Sequence, residues 1–511
     1  MLDKIFDPKT VAVIGASNRE GTVGYALIKN LIGSGFKGTV YPINYKNKSI
    51  YGVRSYASLK DTRDNIDLAV ISTPAETVPE IIKECGEYGV GGVVVISAGF
   101  LEAGDKGKGM GENLREMAKK YNMRIIGPNC LGFIKPSIKL NVSFANKMAK
   151  PGKIAFISQS GALCTAILDW SVEQNVGFSH FVSIGSMIDV GFHDLIDYFG
   201  QDPNTNSIVI YMESLTHARK FMSAARAFAR SKPIIVLKAG KSSAGAKVAL
   251  SHTGTLAGND AAFDAAFKRA GIISVDTIEQ LFNAAQALAM QPRPEGKRLA
   301  ILTNAGGPGV LATDHLISLR GELAELTEPT LKILNDQLPP MWSHGNPVDV
   351  LGDAGYERYG LAAKALLSDP NVDGLLVILT PQSMTNPDEI AQEIVEISKK
   401  SRKPILASWM GESDVRAGRA ILEQGNIPVY RGPENAVYTF MSMFKYTRRI
   451  SALYETPSTI PQQFKPNTQK NKELLQSIIK QKRFVLTEDE AKLLLENYEI
   501  PITKHAIATS A

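Results

Sequence analysis

The chain has 511 residues, 44% of them hydrophobic and 21% charged, an ordinary balance for a globular protein with sizeable cores, and its length predicts three or four domains. Its net charge of +6 suits anionic ligands, but Lys and Arg are scattered without a long run, which argues against a nucleic-acid surface. Three cysteines, Cys85, Cys130 and Cys164, lack metal-ligand spacing and are too few for a disulfide framework, so no metal site is expected. Such sparse usage fits a reducing, cytoplasmic setting. Charge follows at once on Met1-Leu2, which argues against a signal peptide. The longest apolar runs, such as Gly92-Val93-Val94-Val95-Ile96, are strand-sized and too short to span a bilayer.

The first 145 residues alternate short apolar runs with helical stretches. Val11-Ala12-Val13-Ile14, Thr39-Val40-Tyr41-Pro42-Ile43, Leu68-Ala69-Val70-Ile71, Val93-Val94-Val95-Ile96 and Arg124-Ile125-Ile126 read as strands of a parallel, doubly wound α/β sheet. A second unit is expected over 150–292. It opens on Lys153-Ile154-Ala155-Phe156-Ile157-Ser158-Gln159-Ser160-Gly161, a strand ending in a small polar turn and a helix. A third, over 296–454, opens the same way with Lys297-Arg298-Leu299-Ala300-Ile301-Leu302-Thr303-Asn304-Ala305-Gly306-Gly307, so one α/β domain is weakly repeated. Pro457, Pro461 and Pro466 mark a linker over 455–470. Beyond it, 471–511 carries two short helical patterns, the second with Thr487 as N-cap before Glu488-Asp489-Glu490. That stretch is too short to build a core alone.

Gly15-Ala16-Ser17 opens a turn between the first strand and a helix, the setting of a Rossmann-like pyrophosphate site. Ser17 stands where the second glycine of a nicotinamide fingerprint would be. The second strand ends in Asn44, Lys46 and Lys48, not in the acid that holds a free ribose hydroxyl. This favours a phosphorylated ribose, as in coenzyme A or NADP, unless the domain binds no nucleotide. Ser160-Gly161 and Asn304-Ala305-Gly306-Gly307 place backbone N–H groups at two helix starts, where phosphate is attracted. Between them in sequence lies Ser251-His252-Thr253-Gly254, a histidine among small residues with room for a phosphoryl group, although such a histidine also simply fills turns. Glu213, at a strand end, is placed to hold one ring nitrogen and leave the other as nucleophile; a solvated acid is the plainer alternative.

Taken with Gly127-Pro128-Asn129-Cys130-Leu131-Gly132, Tyr211-Met212-Glu213-Ser214 and Asn346-Pro347-Val348-Asp349-Val350, these motifs resemble the nucleoside-diphosphate-forming acyl-CoA synthetases, relatives of succinyl-CoA synthetase, along the whole chain. The resemblance implies an N-terminal Rossmann-like CoA-binding domain, two flavodoxin-like ligase domains and the helical start of an ATP-grasp domain at the C-terminus. It implies phosphorylation at His252, orientation by Glu213, and phosphate held from opposite sides by the helix starts at Ser160 and Gly306. CoA would be held by Gly15, Ala16, Ser17, Asn44, Lys46, Ser72, Thr73, Pro74, Asn129 and Cys130, with residues 127–132 near the thiol. The expected reaction interconverts acyl-CoA, phosphate and ADP with a carboxylic acid, CoA and ATP through acyl phosphate and phosphohistidine. ATP/ADP and Mg²⁺ would then bind at ATP-grasp elements that 471–511 only begins, completed by a longer chain or a partner subunit in a homodimer or heterotetramer. A non-catalytic CoA-sensing scaffold is the competing reading; an NADP oxidoreductase lacks a catalytic constellation.

Overall fold

The computed structural model describes residues 2–242, 244–245, 260–455 and 465–503. His252 with its neighbours, most of the expected linker and the last residues lie outside them.

Alternate residues of the first strands sort into two hydrophobic clusters. Val11, Val13, Leu68, Val70, Val94 and Ile126 face one way; Ala12, Ile14, Ala69, Ile71, Val93, Val95 and Ile125 face the other. Side chains alternate across a strand, so runs apolar at every position must be covered on both faces. Helix Val23–Gly33 covers one face through Leu27, Ile28 and Leu31. Helices Val78–Tyr88 and Gly104–Lys120 cover the other. The five strands are parallel in the order Thr39–Ile43, Thr10–Ile14, Leu68–Ile71, Gly92–Val95, Arg124–Ile126. The order reverses between the second and third of these, so the loops after Ile14 and Ile71 open a crevice at the carboxyl edge.

The second sheet has seven strands: Ile273–Val275, Ile234–Lys238, Ser207–Met212, Pro151–Ser158, Phe178–Ser183, Gly132–Lys135 and Leu140–Ser143. The last two form an antiparallel hairpin, joined antiparallel to Phe178–Ser183 through Phe181↔Ile134 and Val182↔Phe133. The sequence reading assigned residues 132–143 to the first unit. In the structure the chain leaves the first sheet at Ile126 and enters the second before any helix intervenes. Helix Asp3–Phe6 crosses the same seam: Phe6 meets Phe133 edge-on at 5.1 Å and lies 5.5 Å from Phe199. One hydrophobic cluster therefore runs from the first sheet into the second.

The third sheet runs Glu322–Leu323, Arg298–Thr303, Gly374–Leu379, Ile405–Trp409, Val429–Tyr430, with Val348–Asp349 paired to the end of Arg298–Thr303. Around its first strand it has the same neighbours, in the same order, as the second sheet around Pro151–Ser158. Both are flavodoxin-like. Helix Pro433–Tyr454 closes the third unit and leans on the second, where the Tyr446 hydroxyl donates to the Ala229 carbonyl at 2.7 Å. Described by itself, the C-terminal unit is a helical hairpin, Thr468–Lys480 and Glu488–Asn497, tied by Asn471 Nδ2 to the Leu494 carbonyl at 3.0 Å. Thr487 is the N-cap expected from the sequence, and with Glu490 it forms a capping box.

Candidate functional site

Gly15 has φ +93°, and a Cβ there would stand 2.9 Å from Ser72 Oγ, so only glycine lets the first loop lie against the Ser72-Thr73 turn. Ser17 Oγ accepts from Arg19 N–H at 3.0 Å and shapes the turn toward the N-cap Thr22. Asn44 joins this loop to the end of the neighbouring strand. Its Nδ2 donates to the Ala16 carbonyl at 2.8 Å, and its Oδ1 accepts from the N–H groups of Lys46 and Asn47 at 2.8 and 3.1 Å. The amide expected to meet a ribose phosphate is thus engaged in holding the loop. What the loop presents outward is Tyr45, 79% exposed, with Lys46 Nζ 5.3 Å from its ring centre.

At the other end of the crevice the first two units meet. Asn129 N–H donates to the Ser97 carbonyl at 2.9 Å and Ser186 N–H to the Pro128 carbonyl at 2.9 Å. Leu131 N–H donates to Ser183 Oγ at 3.0 Å. Gly185 lies so close that a Cβ would come within 2.2 Å of the Pro128 carbonyl oxygen. Cys130 is buried and its thiol donates to the Val95 carbonyl at 3.3 Å. Burial pushes that thiol up to about 12, so it stays protonated and is a poor nucleophile.

Facing this seam is the start of helix Gly161–Glu173. Ser160 is its N-cap, accepting from Leu163 N–H at 3.3 Å. Ser158 Oγ pins the turn by bonding the Ser160 N–H and carbonyl at 3.1 and 3.0 Å. Gln159, to which the sequence motif assigns no role, holds the neighbouring turn. Its Oε1 accepts from the N–H groups of Glu213 and Ser214 at 2.5 and 2.9 Å, and its Nε2 donates to Ser214 Oγ at 3.1 Å. The Glu213 turn is therefore held from the neighbouring strand. Burial and then the Glu213 carboxylate push the Tyr211 phenol up to about 12. Lys238, buried at the end of the next strand, is pulled down by burial, against the pull of Asp260 and Glu213.

A single cleft of about 860 Å³ joins these parts. Of the expected CoA residues, Ser72, Thr73, Pro74, Asn129 and Cys130 line it; of the phosphate and catalytic residues, Ser160, Gly161 and Glu213 do. Gly15, which packs against Ser72, and Ala16, Ser17, Asn44 and Lys46 are not among the residues that line it.

The second expected phosphate cradle does not line the cleft. Thr303 Oγ1 bonds the Ala305 N–H and carbonyl at 3.0 and 2.8 Å, repeating the Ser158 arrangement. Asn304 takes the place of Gln159, bonding the Thr380 carbonyl and N–H at 2.9 Å each. Its side chain is thus occupied within the third unit, and the open N–H groups there belong to Gly306 and Gly307, with Asp349 3.5 Å from where a Gly306 Cβ would stand. The signal that could have found Gln159 was this repeat: an amide one residue after the strand's last hydroxyl in both units.

A Rossmann-like sheet, two tandem flavodoxin-like units and a cleft at the seam of the first two define the class, a CoA ligase of the succinyl-CoA synthetase type. Residues 9–136 match the family model of a CoA-binding domain. Residues 151–288 match that of a succinyl-CoA ligase-like flavodoxin domain, and 299–454 that of a ligase-CoA domain. The alpha subunit of acetate–CoA ligase (ADP-forming) II from Pyrococcus furiosus is 42% identical over 456 residues, 88% of this chain and 99% of that subunit. The 4-hydroxybutyrate–CoA ligase (ADP-forming) of Nitrosopumilus maritimus is 38% identical over 508 residues, 99% of this chain and 72% of that protein. The acetyl-coenzyme A synthetase 1 of Ca. Korarchaeum cryptofilum, solved with phosphate and ADP, superposes with a TM-score of 0.84 at 36% identity, covering 90% of this chain and 100% of that one. The chain belongs to the ADP-forming acyl-CoA synthetase family. Among the described residues no helix is long and apolar enough to cross a membrane.

Proposed function

We propose that this chain carries the CoA and acyl-phosphate steps of an NDP-forming acyl-CoA synthetase, with His252 as the phosphoryl carrier. The observation that carries the reading is the single cleft lined by Thr73, Asn129 and Cys130 on the CoA side and by Ser160, Gly161 and Glu213 on the other. It allows a thioester and a phosphate to share one space. Free N–H groups at the Gly161 helix start favour the phosphate dianion. The reaction needs positioning and charge stabilisation, which such a site supplies. Acyl-CoA and phosphate exchange to acyl phosphate and CoA; His252 takes the phosphoryl group and releases the acid; phosphohistidine then charges ADP. In this reading Glu213 steadies the ring of His252. The loop from Asn44 to Lys48 meets the phosphorylated ribose of CoA, through Lys46 and Lys48. Asn304 to Gly307 receives the phosphoryl group at a later stage, outside the cleft. Nucleotide and Mg²⁺ bind at ATP-grasp elements, on a partner subunit or a longer chain. The relative designated a subunit alpha supports a partner.

The test is incubation with acetyl phosphate followed by intact mass and phosphopeptide mapping in alkali. Wild-type protein gains one phosphoryl group at His252, and His252→Ala gains none while binding CoA as before. Glu213→Gln slows labelling on the order of 10²–10³-fold. Label on another residue, or full labelling of His252→Ala, overturns the assignment.

A further inference from the structure

The loop that follows strand Gly92–Val95 enters the cleft between Thr73 and Asn129. Ser97 Oγ donates to the Thr73 carbonyl at 2.5 Å, and Asn129 N–H donates to the Ser97 carbonyl at 2.9 Å. Five residues on, Glu102 lines the same cleft. Its Oε1 is fixed by Gly99 N–H at 2.7 Å. Its Oε2 is shielded from solvent and has no hydrogen-bond partner among the described residues. A buried carboxylate oxygen without a donor is costly to maintain. Glu102 lines the one cleft that also holds Asn129, Cys130 and Ser160, and a CoA substrate reaching that cleft carries an acidic S–H. Among the described residues that line this cleft there is no lysine, arginine or histidine. The thiol of Cys130, which also lines the cleft, already donates to the Val95 carbonyl.

We propose that Glu102 is the general base for the CoA thiol, an assignment that rests on the ligase reading above. In the thioester-forming direction Oε2 takes the S–H proton. The sulfur lone pair attacks the acyl carbonyl carbon of acyl phosphate, the C–S bond forms, the C–O bond to phosphate breaks, and phosphate leaves with that electron pair. In reverse, phosphate oxygen attacks the thioester carbonyl, the C–S bond breaks, and protonated Glu102 returns its proton to the departing thiolate. Thiols of the cysteine class ionise near about 8.5, so at neutral pH most of the substrate is unreactive thiol and a positioned base is required.

The experiment uses the full chain with CoA and either acetyl phosphate or 4-hydroxybutyryl phosphate, and follows thioester formation and free phosphate. Glu102→Gln keeps an oxygen for Gly99 N–H but cannot take a proton. It is expected to lower kcat for thioester formation about 10²–10³-fold near pH 7, with KM for CoA within a few-fold. The loss shrinks as pH rises through the thiol's own ionisation, because thiolate then needs no base. Phosphoryl labelling from acyl phosphate, which involves no thiol, stays near wild type, and so reports that the fold and the phosphate side are intact. Glu102→Asp recovers part of the rate. A Glu102→Gln rate equal to wild type, or a loss that is the same at every pH, overturns the assignment while leaving the ligase reading in place. Wild-type protein inert with both acyl phosphates overturns the ligase reading and this assignment with it.

Discussion

Gln159 lines the cleft without being a candidate for chemistry. Two N–H groups of the Glu213 turn and one hydroxyl converge on its amide. Gln159→Leu leaves those N–H groups buried and unpaired, at a cost of about 1–3 kcal/mol in stability by chemical denaturation. Because the turn then relaxes, phosphoryl labelling should slow by about 10²-fold, the scale on which a misplacement of 1 Å acts. Unchanged labelling kinetics would show that Glu213 is held by other contacts. Cys130 makes the opposite case. It lines the cleft, yet its thiol is pushed up to about 12 by burial. Cys130→Ala should keep thioester formation within a few-fold, and iodoacetamide near neutral pH should leave Cys130 unmodified by mass. Both residues lie in motifs visible in the sequence. Residue type alone does not separate a buried donor from a nucleophile, because burial comes from strands far away in the chain.

At the scale of elements, the Asn44 side chain holds the loop from Asn44 to Lys48 through the Ala16 carbonyl and the N–H groups of Lys46 and Asn47. Replacing Lys46 and Lys48 with alanine should weaken CoA binding and erase its preference over dephospho-CoA in calorimetry, as each removes a solvent-facing charge. Asn44→Ala should weaken both ligands equally, since it frees the loop from Ala16. The opening strand of the third unit carries its own staple. Arg298 donates to Asp373 through Nε and Nη2 at 2.9 and 2.8 Å, and Arg298 N–H adds a third bond at 2.9 Å. Burial alone would raise the Asp373 carboxyl, but Arg298 holds it below the ordinary carboxylate range. A carboxyl depressed in the folded state contributes fully above its unfolded value, about 3.9, and the contribution is lost as pH falls through the folded value. Acid titration followed by hydrogen exchange should therefore show protection of Arg298–Thr303 dropping below about pH 4. In Asp373→Asn the protection should already be lower at neutral pH and change less with acid.

Across the whole molecule, the units are joined by features that no single stretch announces. The hairpin Gly132–Ser143 leaves one sheet's sequence neighbourhood to pair in the next, and the Pro433–Tyr454 helix returns from the third unit to the second. Tyr446→Phe removes the bond to the Ala229 carbonyl and should lower stability by about 1–2 kcal/mol, read as a shift of the denaturation midpoint. The α/β class, the repeat and most central strands were legible because apolar runs bounded by glycine and hydroxyl turns carry a strong local period. So were Ser160, Gly161, Glu213 and Asn129, which sit at strand ends where a parallel sheet opens. The short strands Phe178–Ser183, Leu140–Ser143 and Ile273–Val275 were not read, since their neighbours in the sheet, and not their own composition, make them strands. Sequence by itself determined the kinds of domain, their order and the set of polar residues available for phosphate and CoA. Tertiary structure alone decided which of those residues share a cleft, that Asn44 and Asn304 are taken up by the backbone of Ala16 and Thr380, and that Glu102 has an oxygen without a partner among the described residues. Hydrogen-bond pairing and burial are properties of groups brought together from distant positions, and no local pattern specifies them.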